Sequence, residues 1–390
     1  MKRILLLFTV LTLIFTGCSA PTKKESGGKR PQATAYRTNH TEPMNTRGRT
    51  VPVKPREKTK PPAAKPHIDT IGFLEVDDPK TAVAAVNQAA PNLTYVSFFS
   101  YRVRSDGSLI PLNDTAPLIT TRKNGAVPML VITNFANGNF QSDIAHRIFT
   151  NKAASRKLIA NVIRVMKQKG YRALNVDFEH LHPQDRHLYN SFLTTLVPLA
   201  KREGFIVSTA LAPKQSDHDR GPWHGAHDYA FHGKIADFVI LMTYEWGWTG
   251  GPPMAVSPVP QIRKVIEYAK TKIPARKIIM GAPLYGYDWT LPYKKGGPPA
   301  KRISPKEADT LAHQKGIKVR YSKRDEAPWF RYTDRAGKRH EVWFEDAQSI
   351  QAKFNLVKQY RLHGISYWVL GESFPENWTM LGDNFHINKF

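Results

Sequence analysis

A single cysteine, Cys18, occurs in 390 residues, so no intramolecular disulfide can form and a cysteine-built metal site is excluded. Acidic side chains are also scarce: 32 Asp or Glu face 57 Lys or Arg, a formal charge of +25. Such an excess suits a polyanionic surrounding without identifying one. Long apolar runs are missing except at residues 4–15, and that run is too short for a permanent membrane-spanning helix. No internal repeat recurs. Between residues 19 and 67 large apolar side chains are almost absent, so this stretch cannot bury enough surface to offset the entropy of ordering and is expected to be a disordered, basic, Pro-rich tether. It holds twelve Lys or Arg against three Glu but only one aromatic, Tyr36. The stacking pattern of a single-strand binder is lacking, and no nucleic-acid partner is expected.

At the front of the chain, Met1-Lys2-Arg3, the apolar run and Thr16-Gly17-Cys18 form the pattern of a secretory signal. Phe15-Thr16-Gly17-Cys18 resembles a bacterial lipobox. That resemblance implies a lipoprotein signal over residues 1–18, lipid on Cys18, export, and anchoring to the outer face of the membrane.

From Thr70 onward short apolar runs alternate with helix-period segments, the mark of repeated strand–helix units. Strands are expected near 71–76, 93–101, 127–133, 173–179, 206–211, 238–244, 277–284 and 364–370. Amphipathic helices are expected at 81–89, 152–169, 187–202, 260–272 and 348–363. Eight strands with intervening helices over residues 68–390 fit an α/β fold, a (β/α)8 TIM barrel. A small α+β insertion after strand seven, at about 289–344, is rich in Lys, Arg, Gly and Pro and then in aromatics.

Within residues 171–180 Asn175, Asp177 and Glu179 alternate with Leu174, Val176 and Phe178, so the two sets point to opposite faces of a strand. Neighbouring carboxylates do not both ionise cheaply, and one of them can stay protonated near neutral pH as a general acid. That chemistry suits glycosidic bond cleavage. Catalytic groups of a barrel sit at the C-terminal strand ends, and here those ends gather polar and aromatic residues at one mouth. Asn134, Asn175, Glu245, Trp246, Tyr285 and Trp368 are candidate substrate-binding residues there. Aromatic surfaces with a few carboxylates and amides suit sugar rings. His180, His182 and His187 follow the acids without convincing ligand spacing, so they read as surface histidines, and no metal is expected.

Leu174-Asn175-Val176-Asp177-Phe178-Glu179 resembles the signature of glycoside hydrolase family 18, Asp-x-x-Asp-x-Asp-x-Glu at the end of barrel strand four. Met242-Thr243-Tyr244, Gly364-Ile365-Ser366-Tyr367-Trp368 and the insertion after strand seven are similar to the family over residues 70–390. Within it, Ala212-Pro213-Lys214 and residues 242–253, 284–292 and 342–356 look like the spore germination and cortex-lytic N-acetylglucosaminidases. The resemblance implies a retaining, substrate-assisted mechanism without a cofactor. Glu179 would be the acid, Asp177 would orient the substrate's acetamido group, Tyr244 would hydrogen-bond it, and Trp368 would lie beneath the cleaved sugar. The implied substrate is peptidoglycan of spore cortex or cell wall, or another N-acetylglucosamine-containing glycan. Arg172 and Asn175 stand where the signature has Asp, Glu245 stands where chitinases usually have Asp, and the Ser-x-Gly-Gly of typical chitinases is absent beside Thr133-Asn134-Phe135. Alternatives are a chitinase and a non-catalytic, lectin-like glycan binder.

Overall fold

Eight short segments buried on both faces form a closed ring of parallel strands. The computed structural model describes residues 64–219 and 221–390. The expected signal segment, Cys18 and most of the expected tether lie outside the described residues. In chain order the barrel strands are His67–Glu75, Tyr95–Val103, Val127–Thr133, Ala173–Asp177, Ile206–Leu211, Phe238–Leu241, Ile278–Pro283 and Gly364–Trp368. Each pairs in parallel with the next, and strand one pairs with both strand two and strand eight, which closes the barrel.

The period-2 pattern divides the core into two layers. Ile71, Phe73, Met129, Val131, Ala173, Ile240 and Ile279 fill the barrel interior. Leu74, Leu174, Val176, Phe178 and Val207 point outward against the helices. The long helix Lys152–Lys169 shows how local sequence sets an element: the Asn151 side chain caps its first turn by accepting from Ala153 N–H and Ala154 N–H, and Gly170 ends it at φ 69°. Glycine is suited there because a Cβ penalises the left-handed region. Leu158, Ile159, Val162 and Met166 form its buried stripe. Among the described residues no helix is long and apolar enough to cross a membrane.

Several boundaries differ from the pattern reading. Strand one begins at His67, earlier than 71 and inside the expected tether, because the chain's end returns beside it and His67 pairs with His386. Strand four stops at Asp177, so Glu179 lies just beyond it: the Glu179 N–H is donated to the Asn134 side chain instead of to a ladder. Strand six ends at Leu241, since Met242 to Tyr244 turn tightly and Glu245 adopts φ 64°. The helices Thr115–Lys123, Ser142–Thr150, Tyr229–Ile235 and Pro375–Asn384 were not legible, being short or carrying Pro within or at their start.

Between strands seven and eight, residues 286–343 form a five-stranded antiparallel sheet with the helix Pro305–Gln314. That helix packs on one face through Ala308 and Ala312 against Ile303, Phe330 and Val342. The opposite face carries Tyr287, Trp289 and Trp343, which cluster with Tyr244 and Trp368 from the barrel mouth.

Candidate active site

Strand four delivers its inward side chains to the barrel mouth in sequence order. Asn175 is fully buried, and its Nδ2 donates to Ser208 Oγ (2.9 Å) on the neighbouring strand. Asp177 is 4% exposed and its Oδ1 has no hydrogen-bond partner among the described residues. Glu179 is 8% exposed. Its carboxylate Oε2 accepts a hydrogen bond from the Trp223 indole N–H at 2.9 Å.

The backbone of Glu179 is fixed separately. Asn134 Nδ2 donates to the Glu179 carbonyl (2.8 Å), and Asn134 Oδ1 accepts from the Glu179 N–H (3.0 Å). Asn134 also donates to Gln141 O (3.1 Å), so its amide is occupied in holding the loop. The donors of Asn134, expected to meet substrate, are used inside the protein.

Burial raises both acids above the ordinary carboxylate range. For Glu179 desolvation is the largest cause, the charge of Asp177 adds to it, the Trp223 N–H opposes it, and Glu245 contributes a further small rise. For Asp177 the cause is desolvation. A carboxyl held protonated near neutral pH is what a general acid requires.

Glu245 and Tyr244 reach the same place from the end of strand six. The Tyr244 hydroxyl is pushed up by burial and then by the charges of Asp177, Glu179 and Glu245, so it remains a proton donor beside them. Its ring packs against Gly281, where an added Cβ would come within 2.8 Å of the Tyr244 ring. Glu245 Oε1 accepts hydrogen bonds from Tyr285 and from Tyr287 (2.8 Å). Tyr285 is fully buried, so it holds Glu245 instead of lining the cleft surface. Trp368 is half-buried at the end of strand eight, with Phe99 edge-on at 4.7 Å and Phe73 at 5.7 Å. Trp246 is half-buried and packs against the outer core.

Trp223 was missed from sequence. It sits between strand five and the helix Tyr229–Ile235, where no periodicity distinguishes it, and 44 residues separate it from its partner. Its ring stacks on His180 (6.1 Å, 8°), which makes His180 half-buried and not a surface residue. His182 pairs with Asp143 (2.9 Å) and His187 is exposed in the first turn of its helix, so the three histidines diverge. Among the described residues no group of three or more His, Cys, Asp or Glu is placed to hold a metal ion.

The chain is 47% identical over 334 residues to the cortical fragment-lytic enzyme of Bacillus subtilis, covering 84% of this chain and 77% of that protein. It is 34% identical to the putative sporulation-specific glycosylase YdhD of the same organism, over 82% of this chain and 76% of the relative. The crystal structure of the Bacillus cereus spore cortex-lytic enzyme SleL superposes with a TM-score of 0.80 at 42% identity, over 84% of this chain and 76% of that one. The sequence pattern of Glycosyl hydrolases family 18 matches residues 75–372, and the chain belongs to that family of glycosidases.

Proposed function

We propose that this glycosidase cleaves N-acetylglucosamine linkages in spore cortex peptidoglycan by a retaining, substrate-assisted mechanism. The observation that carries the reading is the pair of buried acids at the barrel mouth, one braced by Trp223 and the other with an oxygen that has no partner among the described residues. The relatives named as cortical fragment-lytic and spore cortex-lytic enzymes support the choice of wall.

Each residue then has a role its surroundings favour. Glu179, kept protonated by burial, gives its proton to the leaving glycosidic oxygen and afterwards takes one from water. Asp177 Oδ1 receives the N–H of the substrate's acetamido group, which turns the acetamido carbonyl oxygen toward the anomeric carbon. That carbonyl oxygen forms the new bond as the glycosidic bond breaks, and water later opens the resulting ring with net retention. Tyr244 donates its hydroxyl to the acetamido group, and Trp368 offers a ring face beneath the sugar. Glu245, held by two tyrosines, supplies a further acceptor at the wall of the site.

The test is a pair of measurements on soluble cortex fragments. Proton NMR of the first-formed product is expected to show the anomer of the substrate. Asp177→Asn is expected to lose most on substrates bearing the acetamido group. An inverted first product, or equal loss on substrates lacking that group, would contradict the mechanism.

Export and anchoring through lipid on Cys18, with residues 19–67 as a basic spacer, complete the proposal. They place the barrel outside the membrane, within reach of the wall. Cys18→Ala should release the protein from membranes, and unchanged membrane partition would sink the anchor.

A further inference from the structure

The insertion places five side chains in one line. Strand pairing matches Arg302 with Tyr287, Tyr287 with Trp343, Trp343 with Trp329, and Trp329 with Arg320. Directly paired residues of antiparallel strands share a face, so Arg302, Tyr287, Trp343, Trp329 and Arg320 form a continuous ladder across the sheet. Its inner part touches the active site, because the Tyr287 hydroxyl donates to Glu245. At about 4.8 Å per strand, Arg320 lies roughly 14 Å farther out than Tyr287. Exposure rises along the way: Tyr287 is buried at 2%, Trp343 is at 9%, Trp329 is half-buried and Arg320 is exposed.

The outer end is cationic. The Arg320 and Arg331 guanidinium groups both lie over the Trp329 ring, at 5.3 and 5.5 Å from its centroid. Their charges are not equivalent. Arg331 is paired with Glu341 at 2.7 Å, and the other oxygen of Glu341 accepts from the Trp343 indole. Among the described residues no carboxylate is paired with Arg320. A depression of about 560 Å³ opens at this edge, with Lys318, Arg320, Trp329 and Arg331 in its lining. Residues 286–343 carry fourteen Lys or Arg against seven Asp or Glu, so the local field also favours an anion.

We propose that the outer end of this ladder is a carboxylate-binding site, in which Arg320 holds an acid group borne by the glycan strand that fills the cleft while Trp329 supplies the platform beneath it. This rests on the peptidoglycan reading, since such a strand carries acid groups on its stem peptides and lactyl ethers and a neutral N-acetylglucosamine oligomer carries none. A guanidinium fork matches a carboxylate with two parallel hydrogen bonds, which an ammonium does not. The site makes the enzyme discriminate wall polymer from neutral polymer at a point away from the reacting bond.

The experiment compares the full chain with Arg320→Gln and Arg320→Lys on soluble peptidoglycan fragments and on the same fragments after amidation of their carboxyl groups. At low salt Arg320→Gln is expected to raise KM about fivefold on native fragments with kcat within twofold, as an exposed charge pair allows. Arg320→Lys should recover part of the loss. On amidated fragments the variants should equal the parent, and about 0.5 M salt should erase the difference on native ones. Equal KM for parent and Arg320→Gln on native fragments would overturn the site, as would an equal loss on amidated ones. Fragments stripped of peptide by an amidase carry only the lactyl carboxylate that breaking the lactyl–peptide amide sets free, which separates the two sources, and dependence on Arg320 with either upholds the site. If the parent cuts no fragment, the peptidoglycan reading fails. Binding of native and amidated fragments to Glu179→Gln, with and without Arg320→Gln, then still decides whether Arg320 recognises their carboxylates.

Discussion

Two buried aspartates in this barrel are treated in opposite ways. Asp114, fully buried at the start of the helix Thr115–Lys123, accepts from the hydroxyls of Tyr101 and Tyr171 and from the Lys169 ammonium. Asp177, 4% exposed at the mouth, has an oxygen with no partner among the described residues. The same contrast holds for the glutamates: Glu345 is paired with the buried Lys353 (2.7 Å) and Ser349 (2.6 Å), whereas Glu179 has the Trp223 N–H and the repulsion of Asp177. A carboxylate that serves the fold is saturated by the fold. The pair proposed to serve a substrate is left short of partners, at a cost of about 1–3 kcal/mol for each unsatisfied buried group.

Four substitutions sharpen that contrast, in descending order of effect. Glu179→Gln removes the proton and keeps the shape, so kcat should fall about 10³-fold or more with fragment binding retained, measured by turnover and by equilibrium binding. Asp177→Asn should lower kcat about 10²-fold on acetamido substrates without lowering the melting temperature, because it removes an unsatisfied buried charge. Asp114→Asn should do the reverse: about 2 kcal/mol of stability lost in thermal unfolding, with kcat within twofold. An inactive but stable Asp114→Asn protein would break the comparison. Trp223→Phe should lower kcat about fivefold. The indole N–H favours the ionised form of Glu179, so its loss raises that group further and moves the alkaline limb of the kcat profile to higher pH. An unmoved limb would make Trp223 a packing residue only.

The pH dependence of stability has a definite sign. Burial raises Asp177 and Glu179 in the folded chain, so the folded state keeps protons that the unfolded state has lost. Their contribution is fully present below about pH 4, the unfolded range, and is lost as pH rises through the folded values. Asp177→Asn should therefore gain most in melting temperature at the alkaline end, and a gain confined to acid pH would contradict the burial of that group.

The strand-four pattern was legible because period-2 alternation survives in any sheet, and Leu174, Val176 and Phe178 do occupy the outer layer while Asn175 and Asp177 face inward. The barrel's eight strands were legible as short apolar runs set between helix-period segments. Asn134 was found at its strand end, but its task was not, since only the fold brings it onto the backbone of Glu179. Trp223 lies in a loop without periodicity. The line from Tyr287 to Arg320 depends on the register of antiparallel strands separated by turns and a helix, and no local pattern encodes that register.

The most direct test of the central claim is mass spectrometry of purified spore cortex digested by the full chain beside its Glu179→Gln variant. Fragments ending in reducing N-acetylglucosamine from the parent alone are expected. Equal fragmentation by both proteins, or binding by the parent without any fragments, would contradict the assignment of the buried pair as the catalytic centre.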